Sequence, residues 1–262
     1  MEKIDDWVKA GAAGRRVLWL RGPAGAGKSA IAQTVAETCA GRNQLAASFF
    51  FARTAAHRNE AQYLFPTIAV QIALSAPEKR QTLDEILSSN PYIAERDLGS
   101  VDLLASLLQD SSTPPRASSP SFVVIDGLDE CQRNDNQCWI LEQISRMVHT
   151  HRLPLRFLIV SRPESHLAEA FEELDLARIT KVESLYGDYR DSSDVAMHLH
   201  SEFSRICGAK KHSAVMQFVP RPWPSDYIIE RLVTKSGGYF IYASTVIKFI
   251  DEEYVSPVAR LD

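Results

Sequence analysis

Trp19-Leu-Arg-Gly22-Pro-Ala-Gly-Ala-Gly27-Lys28-Ser29-Ala30 is the stretch whose reading decides the fold. The apolar run Val17–Leu20 leads straight into Gly22-x-x-x-x-Gly27-Lys28-Ser29, and beyond it Ile31, Val35 and Cys39 recur at helical spacing. Strand, glycine loop and helix in that order are the setting in which this spacing binds phosphate. Each residue type has a task there. Gly22, Gly25 and Gly27 carry no Cβ and admit positive φ, so successive backbone N–H groups can converge on phosphate oxygens at a helix N-terminus. Ala24 and Ala26 keep the rest of the loop small, and Pro23 and Ala30 are counted with them in the nucleotide-binding stretch. Lys28 brings a point charge to the β and γ phosphates, and the Ser29 hydroxyl is an oxygen ligand suited to Mg²⁺.

Outward from this stretch, short apolar runs recur at Ala46–Phe51, Phe122–Ile125, Phe157–Val160 and, more weakly, Arg178–Glu183. They are continuous rather than alternating, as expected of strands covered by helices on both faces of a parallel sheet. The reading is an α/β fold with a five-stranded, mostly parallel sheet. Between the second and third runs lies a helical insertion spanning about 60–120. It comprises Ala61–Ala76, with Leu64, Ile68 and Ile72 on one face, then Thr82–Ser89 and Ser100–Asp110. The tract Ser111–Pro120, rich in serine and proline, reads as a solvated loop. From Tyr186 the pattern is wholly helical: Ser193–Ile206, Ser225–Lys235 and Tyr239–Glu252, interrupted by Pro220, Pro222 and Pro224. Residues 1–185 are therefore expected to form the phosphate-binding core, and 186–262 a helical subdomain.

Phe122-Val-Val-Ile-Asp126-Gly-Leu-Asp129-Glu130 puts a carboxylate at the C-terminal end of a buried strand, where open α/β sheets bind their ligands. Asp126 is expected to hold Mg²⁺ through water, and one of Asp129 and Glu130 to orient an attacking water. Phe157-Leu-Ile-Val-Ser-Arg162-Pro163 is a second such strand, ending in a cation. Arg162 either senses a γ-phosphate and stabilises the transferring phosphoryl group, or forms a surface pair with Glu164.

The 262 residues carry 29 Lys and Arg against 33 Asp and Glu. This balance leaves no strong positive field for nucleic acid. The 4 cysteines, Cys39, Cys131, Cys138 and Cys207, lack CxxC spacing, which argues against a zinc site or a disulfide framework. The longest apolar run falls short of a membrane span, and the acidic N-terminus is unlike a signal peptide. A cytoplasmic protein without a membrane partner is the expectation. His198-Leu-His200 and His149-Thr-His151 have the wrong spacing for a metal pair on a helix and read as solvated. No Asn-Lys-x-Asp guanine-reading motif occurs, which favours ATP and ADP and leaves GTP open.

Taken together these stretches resemble the NACHT family of signal-transduction NTPases of the STAND class, in particular the NLR-like type abundant in fungi. The resemblance rests on Trp19–Ala32, Ser48–Phe51, Asp126-Gly-Leu-Asp-Glu-Cys131, Ser161-Arg-Pro-Glu164, Asp194–Phe203 and Ser236-Gly-Gly-Tyr-Phe-Ile-Tyr-Ala243. It implies that the phosphate-loop strand lies beside the Arg162 strand and that Arg162 is the sensor. It also implies a slowly hydrolysing, nucleotide-controlled switch in immunity-like signalling. Family members commonly carry a proline near the base where this chain has Phe240. Against the family pattern these residues are expected to be a core that ends at Asp262, before a winged-helix subdomain and sensor repeats, and starts too late to carry an N-terminal effector domain, with protein partners acting through those missing regions. The competing expectation is a module that holds nucleotide as a structural ligand without hydrolysing it. A small-molecule kinase is disfavoured, because the one lid-like loop, Ser111–Pro120, has a single arginine.

Overall fold

The computed structural model describes residues 2–10, 14–75, 77–89, 101–109, 122–185, 193–253 and 255–261. The Ser111–Pro120 tract lies outside them. Two compact units are present: Met1–Gly22 with Lys28–Ser184, and Pro23–Gly27 with Leu185–Asp262.

The first unit is built on five strands, β1 (Val17–Arg21), β2 (Leu45–Phe50), β3 (Phe122–Asp126), β4 (Arg156–Ser161) and β5 (Thr180–Ser184), in the order β2-β3-β4-β1-β5. Every pairing is parallel. The residue pattern follows from position in the sheet. The central strands β3 and β4 are buried at every residue, whereas the edge strand β2 mixes buried with half-buried positions, and in β5, beyond a buried Thr180, half-buried residues alternate with exposed ones. That alternation is why the fifth run is weak in the sequence. Arg178 and Ile179, expected in that strand, instead close the short helix that precedes it, and the strand runs to Ser184.

Helices flank the sheet: α1 (Glu2–Lys9), α2 (Lys28–Gly41), α3 (Leu64–Leu74), α4 (Pro77–Ser89), α5 (Val101–Gln109), α6 (Asn134–His149), α7 (Ser165–Glu172) and α8 (Leu174–Ile179). The face of α2 turned to the core is Ala32, Val35, Ala36 and Cys39, with Ile31 only half-buried. Leu64, Ile68 and Ile72 of α3 are buried as their spacing predicts. Trp19 sits at the centre of the core, stacked on Phe171 at 4.1 Å, and its Nε1 donates to Ser161 Oγ at 2.9 Å. A buried indole N–H needs such an acceptor, and Ser161 supplies it one residue before Arg162.

At the amino end of β4, Arg156 is 3% exposed. Its Nη2 donates to Trp7 O at 2.6 Å and its Nη1 to Val8 O at 3.1 Å. The guanidinium lies 4.3 Å from the Trp7 ring centroid and 5.1 Å from that of Phe122. A cation thus satisfies carbonyls at the C-terminal turn of α1, which have no partners within the helix. Burial, with Arg16 as a smaller contributor, depresses its pKa to about 10.

The second unit contains α9 (Ser193–Gly208), α10 (Ser213–Met216), α11 (Asp226–Ser236), α12 (Phe240–Ile250) and α13 (Pro257–Leu261). Val195, Leu199, Phe203 and Ile206 form one stripe along α9 and pack with Ile229, Ala243, Ile247 and Ile250. Asp251, just past α12, gathers Arg205, Lys211 and His212 at 2.8 to 2.9 Å. Burial raises the Asp251 pKa, but hydrogen bonds from Lys211, Arg205 and His212 outweigh it and hold the carboxyl at about 2. Lys211 is therefore a structural partner of Asp251. No helix among the described residues is long and apolar enough to cross a membrane.

Candidate functional site

The loop leaving β1 keeps the strand-to-helix arrangement that its sequence predicts, because α2 begins at Lys28. Gly25 and Gly27 adopt φ of 76° and 80°, whereas Gly22 does not need positive φ. Gly22 instead is buried and offers its carbonyl to Lys28 Nζ at 2.9 Å. The Pro23–Gly27 segment belongs to the second unit, where a Cβ on Gly25 would run into Ile241 and one on Gly27 would meet the Phe240 ring at 3.6 Å. Pro23 is half-buried, Ala26 buried, and Ala24 and Ala30 exposed. Phe240, where the resemblance leads one to look for proline, thus has its ring within van der Waals reach of a side chain placed at Gly27.

Burial pushes the Lys28 pKa down, with Asp129 opposing and Arg162 reinforcing the shift. Asp126 and Glu130 also act on it, so the acids marked by the sequence surround this one lysine. The parallel pairing of β1 with both β4 and β5, and of β4 with β3, brings these strand ends to one edge of the sheet.

Asp126 closes β3 and is 5% exposed. Burial raises its pKa, and a hydrogen bond with the Ser29 side chain works against that shift. A buried carboxylate beside a hydroxyl oxygen, with Asp129 and Glu130 close enough to act on it, is an all-oxygen donor set whose charge invites a hard divalent cation. Ser29 and Asp126 thus fit Mg²⁺. The chain then turns at Gly127, which is left-handed at φ 71°, and any side chain there would press on Phe51 O at 3.2 Å. Leu128–Glu130 form a 3₁₀ turn.

Asp129 and Glu130, alike in the sequence, have separate surroundings. The Asp129 side chain is 6% exposed, and both of its oxygens face Arg162. Oδ1 accepts the Arg162 backbone N–H at 2.9 Å, and Oδ2 lies 3.4 Å from the guanidinium Nε. Arg162 pairs with this buried carboxylate rather than with Glu164, the surface partner weighed for it in the sequence. Glu130 is half-exposed, and its Oε2 accepts the backbone N–H of Arg53 at 3.0 Å. Arg53 was not singled out in the sequence; it stands three residues beyond β2, and asking which cations follow each apolar run would have found it. Its guanidinium reaches Asp129 O at 3.4 Å.

Cys131 is a small buried residue whose thiol burial pushes up to about 12, so it has no reactive role. Among the described residues no group of three His, Cys, Asp or Glu could hold a metal. Of the histidines read as solvated, His149 and His200 are exposed, His149 with Nε2 3.0 Å from Asp175 O, whereas His151 and His198 are half-buried and the His198 ring lies 5.7 Å from that of Phe240.

Residues 1–162 match the family model described as nephrocystin 3, N-terminal. No curated protein matches the chain. A chain from the structure of Drosophila ORC bound to DNA is similar at a TM-score of 0.43 and 12% identity, over 95% of this chain and 53% of that one. The Pyrococcus furiosus Hef helicase domain is similar at 0.29 and 14%, over 95% and 57%. The chain spans little more than half the length of either, and likenesses this loose say nothing about activity.

Proposed function

This chain belongs to the nephrocystin 3 N-terminal family, and on that premise we propose that it binds ATP with Mg²⁺ and hydrolyses it slowly, as a nucleotide-controlled switch. The observation that carries the reading is the buried Asp126 carboxylate at the end of β3, hydrogen-bonded to Ser29 of the phosphate loop. Lys28 and the loop N–H groups hold the phosphates. Mg²⁺, bound by Ser29 and by Asp126 through water, neutralises phosphate charge. Glu130 orients the attacking water, since Asp129 is committed to Arg162. Arg162, with its side chain 43% exposed, meets the γ-phosphate. ATP is preferred over GTP, ADP is the resting ligand, and the cytoplasm is the setting. The NACHT-like motifs favour an NLR-like signalling role whose state is read by protein partners, with neither nucleic acid nor membrane as a partner.

The test is calorimetric titration of ATP·Mg²⁺. Lys28→Ala is expected to weaken binding by more than about tenfold, or ~1.4 kcal/mol. Equal affinities would remove the loop from the proposal. A second reading, a module that binds nucleotide without hydrolysis, is favoured by the engagement of both acids, Asp129 by Arg162 and Glu130 by the Arg53 N–H. A phosphate-release assay separates the two.

A further inference from the structure

The acidic turn is held from behind as well as from its flanks. Gln137, in the first turn of α6, is 4% exposed. Its Nε2 donates to Cys131 O at 2.7 Å and to Asp129 O at 3.4 Å. Its Oε1 lies 2.8 Å from His166 Nε2. Because the amide nitrogen is committed to two carbonyls, the amide oxygen faces His166, and a proton on His166 Nε2 must fill that bond. His166 lies in the first turn of α7, four residues after Arg162, and its own carbonyl accepts from the Cys138 thiol at 3.8 Å.

Two connections therefore run between the acidic turn and the segment that begins at Arg162. One is direct, from the Arg162 N–H and guanidinium to Asp129. The other runs from the Asp129 and Cys131 carbonyls through Gln137 to His166. A single connection would let the segment Arg162-Pro163-Glu164-Ser165 pivot about Asp129. With its far end also pinned to the same turn, it cannot move without taking the Glu130 backbone with it.

We infer that Gln137 and His166 are positioning residues, a brace that makes the placement of Glu130 depend on the Arg162 segment. The consequence for turnover rests on the function proposed above, whereas the mechanical coupling does not. A buried amide present only to satisfy carbonyls would stabilise the turn locally and have no reason to reach α7.

Amide hydrogen exchange of the nucleotide-free chain tests the coupling. Gln137→Leu, which keeps bulk and removes all three bonds, is expected to speed exchange about tenfold in the Gly127–Cys131 turn and in Arg162–Leu167 together, leaving the Thr150 amide at the end of α6 unchanged. Acceleration in the turn alone overturns the brace. His166→Leu, at a half-exposed position, should give the same paired acceleration from the other end, and His166→Gln, whose amide reaches as far as Nε2, should restore most of the protection. Loss from His166→Leu without recovery in His166→Gln also overturns it.

Turnover supplies the second reading. Gln137→Leu should slow phosphate release about tenfold with ATP·Mg²⁺ affinity within about twofold, but by less than about twofold when added to Glu130→Gln. Equal losses in both backgrounds would mean that Gln137 acts on stability alone. A parent chain that binds nucleotide without releasing phosphate defeats the hydrolysis proposal, and the exchange experiment then decides the brace by itself.

Discussion

Strand β4 carries an arginine at each end, and the two have opposite surroundings. Arg156, at the amino end, is buried, has two aromatic rings against it and donates to helix carbonyls. Arg162, just past the carboxyl end, keeps nearly half its side chain in solvent and shares a carboxylate with the acidic turn. One cation is used up by the fold, and the other remains available to a ligand. The difference follows from the sheet: all strands are parallel, so loops that can receive a ligand collect at the carboxyl edge, while the amino edge is closed by α1.

The contrast can be broken by mutation. Arg156→Ala should cost the most, about 3 kcal/mol in urea denaturation, because it leaves a cavity and strips the α1 carbonyls of their donor. ATP·Mg²⁺ affinity, measured where the variant is folded, should not change. A collapse of affinity with little loss of stability would reverse the assignment of the two ends.

Next in size, Glu130→Gln should slow phosphate release by about a hundredfold, ~2.7 kcal/mol, with nucleotide affinity intact, as for a group used mainly in the transition state. Asp129→Asn should slow it less and also disturb Arg162, because it weakens an existing pair instead of removing a water-orienting group. If the two variants behave alike, their different surroundings have no bearing on the chemistry.

Arg162→Ala should leave the denaturation midpoint nearly where it is and narrow the ratio of ATP to ADP affinity by about threefold to tenfold. An unchanged ratio would make Arg162 as structural as Arg156.

The smallest effect concerns pH. Burial raises the Asp126 pKa, so the folded protein holds a proton there that the unfolded chain has already released, and nucleotide-free stability should decline as pH rises through that window. Metal binding needs the carboxylate, so Mg²⁺-dependent ATP affinity should fall by about threefold as pH is lowered from neutrality into the acid range. Asp126→Asn should abolish that pH dependence; its persistence would move the titrating group elsewhere.

The residues on either side of this comparison were not equally legible in the sequence. Val17–Leu20 with Gly22–Ser29, and Phe122–Ile125 with Asp126, could be read directly because each task is local: a run dense enough to be buried, then a loop that spacing alone specifies. The pairing of Asp129 with Arg162 depends on β3 lying beside β4, and strand order does not follow from periodicity. Gln137 gave no signal, since a glutamine early in a helix normally faces water, and its burial arises only where α6 crosses the acidic turn. Arg156 looked like an ordinary residue before an apolar strand, because its partners on α1 lie 148 and 149 residues earlier in the chain.

The register of β1 has a consequence for how the protein is made. Val17 meets Phe157 on one side and Thr180 on the other, so the strand that feeds the phosphate loop leaves the ribosome well ahead of both partners and has no neighbour in the sheet until β4 emerges. At about 5–20 residues per second, the roughly 140 residues between them take on the order of ten seconds to synthesise. Throughout that interval Leu18, Trp19 and Leu20, later wholly interior, are open to chaperones and to one another on neighbouring chains. Arrested nascent chains that end before Phe157 should be cut by protease near Trp19, and chains carried past Ser184 should not; protection in the shorter chains would mean that β1 finds a temporary partner.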